Sequence, residues 1–327
     1  MSKIKKTKIA KIIFIGGNRF NEDGPFLGFA SECHKKNIDF TLLVDSQRIN
    51  YPTKTMGVFR DALIKNSISF EIIDSIKESI ISKHLSENTI IFSVHCRWII
   101  PEEIIKIMPH KIFNYHNLSL PGQRGAAGHS WRLMQGIKET ELNIHYVTPE
   151  LDRGNIILRK KIKFPKSYTN LEKCYDYISK YEQILFKDFL SNKSWLNIKQ
   201  RESESFYWPR LDTNKNGYID WNWSAQDIMH FCNAFDKPFD GASTYINNKR
   251  VFVINTQIAD NNITFHPYQS GLIYRIDNDY IYTATIKGGL KFKLNKNKSK
   301  NIKIRLGDRF ITPLDKLYSA KIDKSKY

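Results

Sequence analysis

Asn114 and His116 stand two residues apart at the end of a run, Lys111 to His116, that reads as a short strand. Asp152 follows a second strand-like run, Leu142 to Val147. Side chains two apart on a strand share a face, so the amide and the imidazole point the same way. The Pro121-Gly122 pair just beyond ends the strand. The two residues therefore sit at its carboxyl end, where open α/β sheets hold their ligands. An amide donor, a titratable imidazole and an orienting carboxylate suit transfer of an acyl group to an amine. His116 would take the proton of the attacking amine, and Asn114 would donate to the oxyanion developing on the carbonyl. Asp152 would orient or charge-balance His116. Spacing alone leaves a plainer reading open, in which the three are hydrogen-bonded residues of strand ends.

The elements that must position these groups alternate through the first 200 residues. Strands are expected at Ile9–Ile15, Phe40–Val44, Ser69–Ile73, Thr89–Val94, Lys111–His116 and Leu142–Val147, with helices at Pro25–Lys36, Thr53–Lys65 and Pro101–Met108 between them. Short gaps and apolar strands predict βαβ units and an α/β fold with a Rossmann-like, doubly wound, mostly parallel sheet. An amphipathic helix, Leu171 to Leu190, closes this half, and Asn192 to Trp208 reads as a linker. After residue 206 the pattern changes. One helix, Ser224 to Ala234, begins with Ser224 as its N-cap. Short β-runs follow from Ser243 to Leu294, punctuated by Asn247-Asn248, Asp277-Asn278-Asp279 and Gly288-Gly289, as in a small β-barrel. The reading is thus a catalytic domain over residues 1–200 and a smaller domain with a basic tail over 206–327.

Composition excludes several classes. No run of about 18 apolar residues is present, so no membrane span is expected. The four cysteines (Cys33, Cys96, Cys174, Cys232) are far apart, without metal or redox spacing, which predicts a reduced, cytoplasmic enzyme with no metal. The net charge of +18 is large enough to attract polyanions. It is uneven: Lys287 to Tyr327 carries thirteen Lys or Arg against three Asp. Asp212 to Asp220 matches the first nine positions of a calcium loop, but Trp223 stands where the bidentate Glu belongs, so a turn before the helix is the better reading. His95 and Cys96 are neighbours on an extended chain, point apart, and form no nucleophile–base pair.

The run Asn114-Tyr-His116-Asn-Leu-Ser119-Leu-Pro-Gly-Gln123-Arg124-Gly125-Ala-Ala resembles the signature of the formyltetrahydrofolate-dependent formyltransferases, with its Asn-x-His, Ser-x-x-Pro and Arg-Gly elements. Leu151-Asp152-Arg-Gly154 is similar to that family's Asp-x-Gly element. Gly217 to Ile228 and Phe239 to Thr244 resemble its C-terminal OB-like domain. The resemblance spans about residues 8–310 and implies N10-formyltetrahydrofolate as donor, an amine as acceptor, and Asn114, His116 and Asp152 as the catalytic set. Ile90 to Pro101 is similar to the strand and loop that hold the pterin, which implies cofactor contacts at Val94, Cys96, Arg97, Trp98 and Ile99, with Asp152 beside them.

The acceptor is read from the loops. Relatives that formylate methionyl-tRNA usually carry a basic, Gly-rich insertion after the second strand, and Val44 to Thr55 lacks it. Their Ala-Ala-Pro after Arg-Gly is replaced by Ala126-Ala127-Gly128-His129-Ser130-Trp131. This pattern is more similar to the nucleotide-sugar N-formyltransferases that build surface polysaccharides. Ser119, Gln123, Arg124 and Gly125 would then approach the amino sugar or its diphosphate, since an Arg fork pairs bidentately with phosphate oxygens. The alternative for Arg124 is that it braces the loop. Asn18 and Arg19, at the end of the first strand, are further nucleotide-contact candidates. Methionyl-tRNA is the alternative acceptor. From a different class, a silent nucleic-acid-binding protein would use the barrel, with Tyr280, Tyr282 and Phe292 as its aromatic platform. A homodimer contact would fall to the C-terminal domain, although no apolar stripe marks one.

Overall fold

The computed structural model describes residues 3–19, 24–260 and 263–323; the extreme ends of the two basic segments, 1–2 and 324–327, lie outside the described residues. The chain divides into two compact units. One holds Met1–Gly125, Glu139–Lys163 and Tyr175–Tyr207, and the other Ala126–Lys138, Phe164–Cys174 and Trp208–Tyr327.

Seven strands form the sheet of the first unit: β1 (Lys11–Gly16), β2 (Asp39–Asp45), β3 (Phe70–Ile73), β4 (Thr89–Val94), β5 (Ile112–His116), β6 (Glu139–Tyr146) and β7 (Ile156–Lys163). Their spatial order is β3-β2-β1-β4-β5-β6-β7. β1 pairs in parallel with β2 and β4, as do β2 with β3 and β4 with β5. β6 runs antiparallel to both β5 and β7. The winding direction reverses between β1 and β4, so the sheet is doubly wound and mostly parallel. β7 escaped the sequence reading because, after Ile156-Ile157-Leu158, it turns to Arg and Lys. That is how an edge strand is protected from unwanted pairing.

Period-two alternation gives the sheet two dry faces. Ile13, Ile15, Ile91 and Ile112 join Leu43, Ile73, Ile81, Ile104 and Met108 on one side. Phe14, Phe92 and Phe113 alternate with them and face the other side. There they meet Phe29 of α1 (Pro25–Lys35) and Phe186 and Phe189 of α2 (Leu171–Ser191). Ring centroids lie 5.2 Å apart for Phe92–Phe186 and Phe113–Phe189, within the range of favourable aromatic pairs, and Phe29 stacks on Phe186 closer still, at 4.2 Å. At the end of β1, Gly16 has φ +139°, and a Cβ there would lie 1.9 Å from the Val94 carbonyl oxygen. Only glycine lets β1 and β4 end so close together.

Two expectations change here. The helix expected over Thr53–Lys65 begins only at Phe59, because Thr53 and Gly57 close a tight loop first, Thr53 N–H donating to Gly57 O at 2.8 Å. The stretch read as a linker is folded into the first unit. Ser194–Leu196 pairs with Lys3–Lys5, and the buried Trp195 stacks on Phe189 at 4.9 Å.

The second unit carries an antiparallel sheet of β8 (Ala242–Ile246), β9 (Lys249–Asp260), β10 (Ile273–Asp277), β11 (Tyr280–Ala284) and β12 (Gly289–Leu294), in the order β8-β9-β12-β11-β10. Its edges are joined by one segment: Ile273 N–H donates to Asp308 O, Phe310 N–H to Gly271 O and Ile311 N–H to Tyr245 O, each at 2.9 Å. The helix Ala225–Phe235 is capped by Ser224, whose Oγ accepts from Asp227 N–H. The unit also gathers Gly128–Met134, a helix the sequence reading missed, through Ser130 Oγ donating to Ala234 O at 3.1 Å. A single break between residues 200 and 206 therefore does not describe the division. The calcium-like segment is a helix start: Asp212 caps Thr213–Asn216 by accepting from Asn214 and Lys215 N–H.

The aromatic platform is not presented. Phe292 is core, 1% exposed, Arg275 lies 3.6 Å over the Tyr282 ring, and Lys293 covers Tyr280 at 4.6 Å. Several tail lysines sit in ion pairs, Lys296 with Asp279 and Lys298 with Asp240. Exposed pairs of this kind contribute about 0–1 kcal/mol. Among the described residues no helix is long and apolar enough to cross a membrane.

Candidate active site

Asn114 and His116 share the isoleucine face of β5 by parity with Ile112. Antiparallel pairing sets His145 of β6 directly opposite Asn114. The turn between β6 and β7 brings Asp152 back over both. The result is a cluster of four polar side chains, all in the first unit. Asn114 Nδ2 lies 3.1 Å from His145 Nε2 and 3.4 Å from Asp152 Oδ1. Asp152 Oδ2 is 3.7 Å from His116 Nδ1, and Asp152 Oδ1 is 3.5 Å from His145 Nε2. His145 had no part in the sequence reading. An imidazole two residues after Asn143, among Leu142, Ile144 and Val147, is the available signal, and only strand register reveals what it faces.

Hydrogen bonding assigns the ring protons. His116 Nε2 sits 2.8 Å from the Gln123 carbonyl, which can only accept, so Nε2 carries the proton and Nδ1 is the free base. His145 Nδ1 likewise donates to Tyr146 O at 2.7 Å, leaving Nε2 to accept from Asn114. One N–H of the Asn114 amide is thereby used. The other reaches Asp152 only at 3.4 Å, long for such a bond, and is the one a carbonyl oxygen can take. Burial pushes the pKa of His116 below its ordinary 6.5, with His145 and Arg124 adding to the fall and Asp152 opposing it. At neutral pH the ring is neutral and able to accept a proton. Burial alone would raise the Asp152 carboxyl, but His116, His145 and the Gly125 N–H outweigh it and hold the group well below the usual carboxylate range. A stable carboxylate beside Nδ1 favours the imidazolium formed when His116 takes a proton.

The turn that carries Asp152 is held from behind. Asp152 has φ +54°, and at Gly154 a Cβ would fall 1.8 Å from the Tyr146 carbonyl oxygen. Gln200, from the supposed linker, donates through Nε2 to the carbonyls of both Asp152 and Gly154 at 2.8 Å. Its Oε1 accepts from Arg124 Nη2 at 2.9 Å, and Arg124 Nη1 reaches both carboxylate oxygens of Glu202 at 2.9 and 3.0 Å. We expect Gln200→Leu to leave three buried groups without these partners, at about 1–3 kcal/mol each. Thermal unfolding should then show a lower Tm, and steady-state kinetics a lower kcat with little change in KM. A variant matching wild type in both would refute the bracing role.

The other sequence-derived candidates divide. Arg124 turns inward, and its bonds to Gln200 and Glu202 are those of a brace. Arg19 is likewise committed, to Glu182 at 2.5 Å and His95 at 3.0 Å. Asn18 is buried at the end of β1. Ser119 and Gln123 close their own loop, with Gln123 N–H donating to Ser119 O at 2.8 Å and Ser119 N–H to Gln123 Oε1 at 3.2 Å. The Gly125 N–H helps to hold the Asp152 carboxyl low. Val94 to Ile99 leave the end of β4 together: Val94 is buried, Cys96 and Trp98 are half-buried against the isoleucine face, and Ile99 is 69% exposed. Burial pushes the Cys96 thiol up to about 11, so it is no nucleophile. Arg97 lies 3.8 Å from the buried Asp45. Among the described residues no group of three or more His, Cys, Asp or Glu is placed to hold a metal ion.

Comparison with known proteins follows these domains. A formyl transferase family model matches residues 65–190, and a model of the formyl transferase C-terminal domain matches residues 213–305. The chain is 34% identical over 175 residues to the bifunctional polymyxin resistance protein ArnA of Wigglesworthia glossinidia brevipalpis, covering 52% of this chain and 26% of that protein. It is 30% identical over 206 residues to the methionyl-tRNA formyltransferase of Thermodesulfovibrio yellowstonii, covering 62% and 64%. The matches thus span about a quarter of the one relative and under two thirds of the other. In fold it is similar to an N-formyltransferase from Helicobacter canadensis solved with folinic acid and dTDP-3-aminofucose. The TM-score is 0.65 at 18% identity, over 88% of this chain and 99% of that one.

Proposed function

The chain belongs to the formyl transferase family, whose two domains it carries in order, and from that premise we propose that it moves a formyl group from N10-formyltetrahydrofolate to the amino group of a nucleotide-linked amino sugar. The observation that carries the reading is the convergence of the His116 Nδ1 lone pair, the Asn114 amide and the Asp152 carboxylate within 3.4–3.7 Å. The neutral amine attacks the formyl carbon while the Asn114 N–H stabilises the oxyanion. His116 Nδ1 takes the amine's proton and gives it to N10 as the bond from N10 to the formyl carbon breaks and tetrahydrofolate leaves. The residues at the end of β4 suit the donor's pterin: half-buried Cys96 and Trp98 pack against the isoleucine face beside the exposed Ile99. The product suits surface polysaccharide synthesis.

An amino sugar is favoured over tRNA by the residues after β2. Val44 to Thr55 lacks a basic, Gly-rich arm, and Asp45 there caps its own turn by accepting from Gln47 and Arg48 N–H. The similar fold of an enzyme solved with folinic acid and dTDP-3-aminofucose supports the same choice. The test supplies N10-formyltetrahydrofolate with dTDP-, GDP- and UDP-linked amino sugars and with methionyl-tRNA, and follows tetrahydrofolate release. Formylation of an amino sugar is expected. Formylation of tRNA alone would overturn the acceptor while leaving the reaction intact.

A further inference from the structure

β5 shows Asn114 and His116 to one face of the sheet and Tyr115 to the other. Tyr115 is 3% exposed, and its hydroxyl donates to Glu182 Oε1 at 2.7 Å. Glu182, halfway along α2 and 1% exposed, accepts on the same oxygen from Arg19 Nη2 at 2.5 Å. Arg19 Nε donates to His95 Nε2 at 3.0 Å, and its guanidinium lies 4.5 Å over the Tyr175 ring. His95 is left-handed, with φ +50°, and its ring stands edge-on to Tyr115 at 5.7 Å. One buried carboxylate thus joins the carboxyl ends of β1, β4 and β5 to α2. Stability is a weak reason for such a pair, since well-packed apolar residues often serve as well or better. Location is a stronger one. Tyr115 is the residue between the two proposed reactive groups, so any drift of its backbone moves both together.

We propose that Glu182 is a positioning residue of the formyl-transfer site, holding Asn114 and His116 against Asp152 through Tyr115 and the β1 and β4 ends through Arg19. The proposal rests on the reaction assigned above. Misplacement of about 1 Å can cost about 10²-fold in rate, which is the scale available to this device.

The test uses Tyr115→Phe, which removes one hydroxyl, and Glu182→Gln, which keeps length and an acceptor but leaves the Arg19 cation without its counter-charge. Each should unfold cooperatively and show kcat reduced by about 10-fold to 10²-fold with both KM values nearly unchanged. The double variant should be little worse than Glu182→Gln alone, because both act along one path. A readout free of turnover is the NMR titration of His116 in histidine-labelled protein. The groups facing that ring are Asp152, His145 and Arg124, and loosening admits water, so its pKa should rise in both variants. If wild type turns over no acceptor, the assigned reaction fails and the titration alone decides the positioning role. Wild-type kcat and an unmoved His116 titration in both variants would overturn the proposal, as would a lower Tm with both unchanged.

Discussion

Replacing His116 by glutamine is expected to cut kcat by about 10²–10⁴-fold, the usual contribution of a positioned general base. Glutamine can still donate to the Gln123 carbonyl, so the loop should survive and the loss should report proton transfer. The pH dependence follows from the direction of the His116 shift. The working form is the neutral ring, and burial lowers its pKa from 6.5. Wild-type kcat at saturating acceptor should therefore fall on acidification through a midpoint below 6.5 and level off on the alkaline side. A limb centred above 6.5, or a His116→Gln variant with near wild-type kcat, would remove His116 from the reaction.

Asn114→Ala should lower kcat by about 10²–10³-fold, the effect of losing one oxyanion donor. The geometry makes a sharper comparison available. Asn114→Asp has nearly the same shape, but it exchanges the donor for a second carboxylate beside Asp152, which is 3.4 Å from the present amide. Two carboxylates sharing a site hold one proton to higher pH than a lone carboxyl does, and once that proton is lost neither donates a hydrogen bond. Asn114→Asp should consequently be at least as inactive as Asn114→Ala near neutral pH, and it should regain some activity on acidification as one carboxyl becomes a donor. Equal, pH-independent activity in the two variants would show that the amide supplies no donor to the reaction.

Much of the first unit was legible because its signals are local. The apolar runs around Ile13, Leu43, Ile91 and Phe113 are short, rich in Ile, Val and Phe, and bounded by turn residues, and side chains on a strand take opposite faces in turn, so each strand can be read from its own residues. The side chains of Asn114 and His116 share a face for the same reason. β7 was not legible, since Arg159, Lys160 and Lys161 carry the composition of a solvated loop. The stretch from Asn192 to Trp208 has the composition of a linker, and its bonds lie far away in sequence. Gln200 holds the carbonyls of Asp152 and Gly154, 48 and 46 residues earlier. Likewise, nothing in the residues around Tyr280, Tyr282 and Phe292 says that the cations of Arg275 and Lys293 will cover the tyrosines while the phenylalanine turns inward.

The residue types that can do chemistry, their place at a strand's carboxyl end and the family they signal were set by the sequence itself, because each depends on neighbours within a few positions. Tertiary structure alone decided the rest. Register across β5 and β6 put His145 opposite Asn114. A left-handed turn held by Gln200 put Asp152 within reach of both histidines. The buried Glu182 carboxylate on α2 engaged Arg19, and the Gln200 amide with the Glu202 carboxylate engaged Arg124. Hydrogen bonds and ion pairs between residues far apart in the chain depend on how the strands and helices pack, and local periodicity carries no record of that.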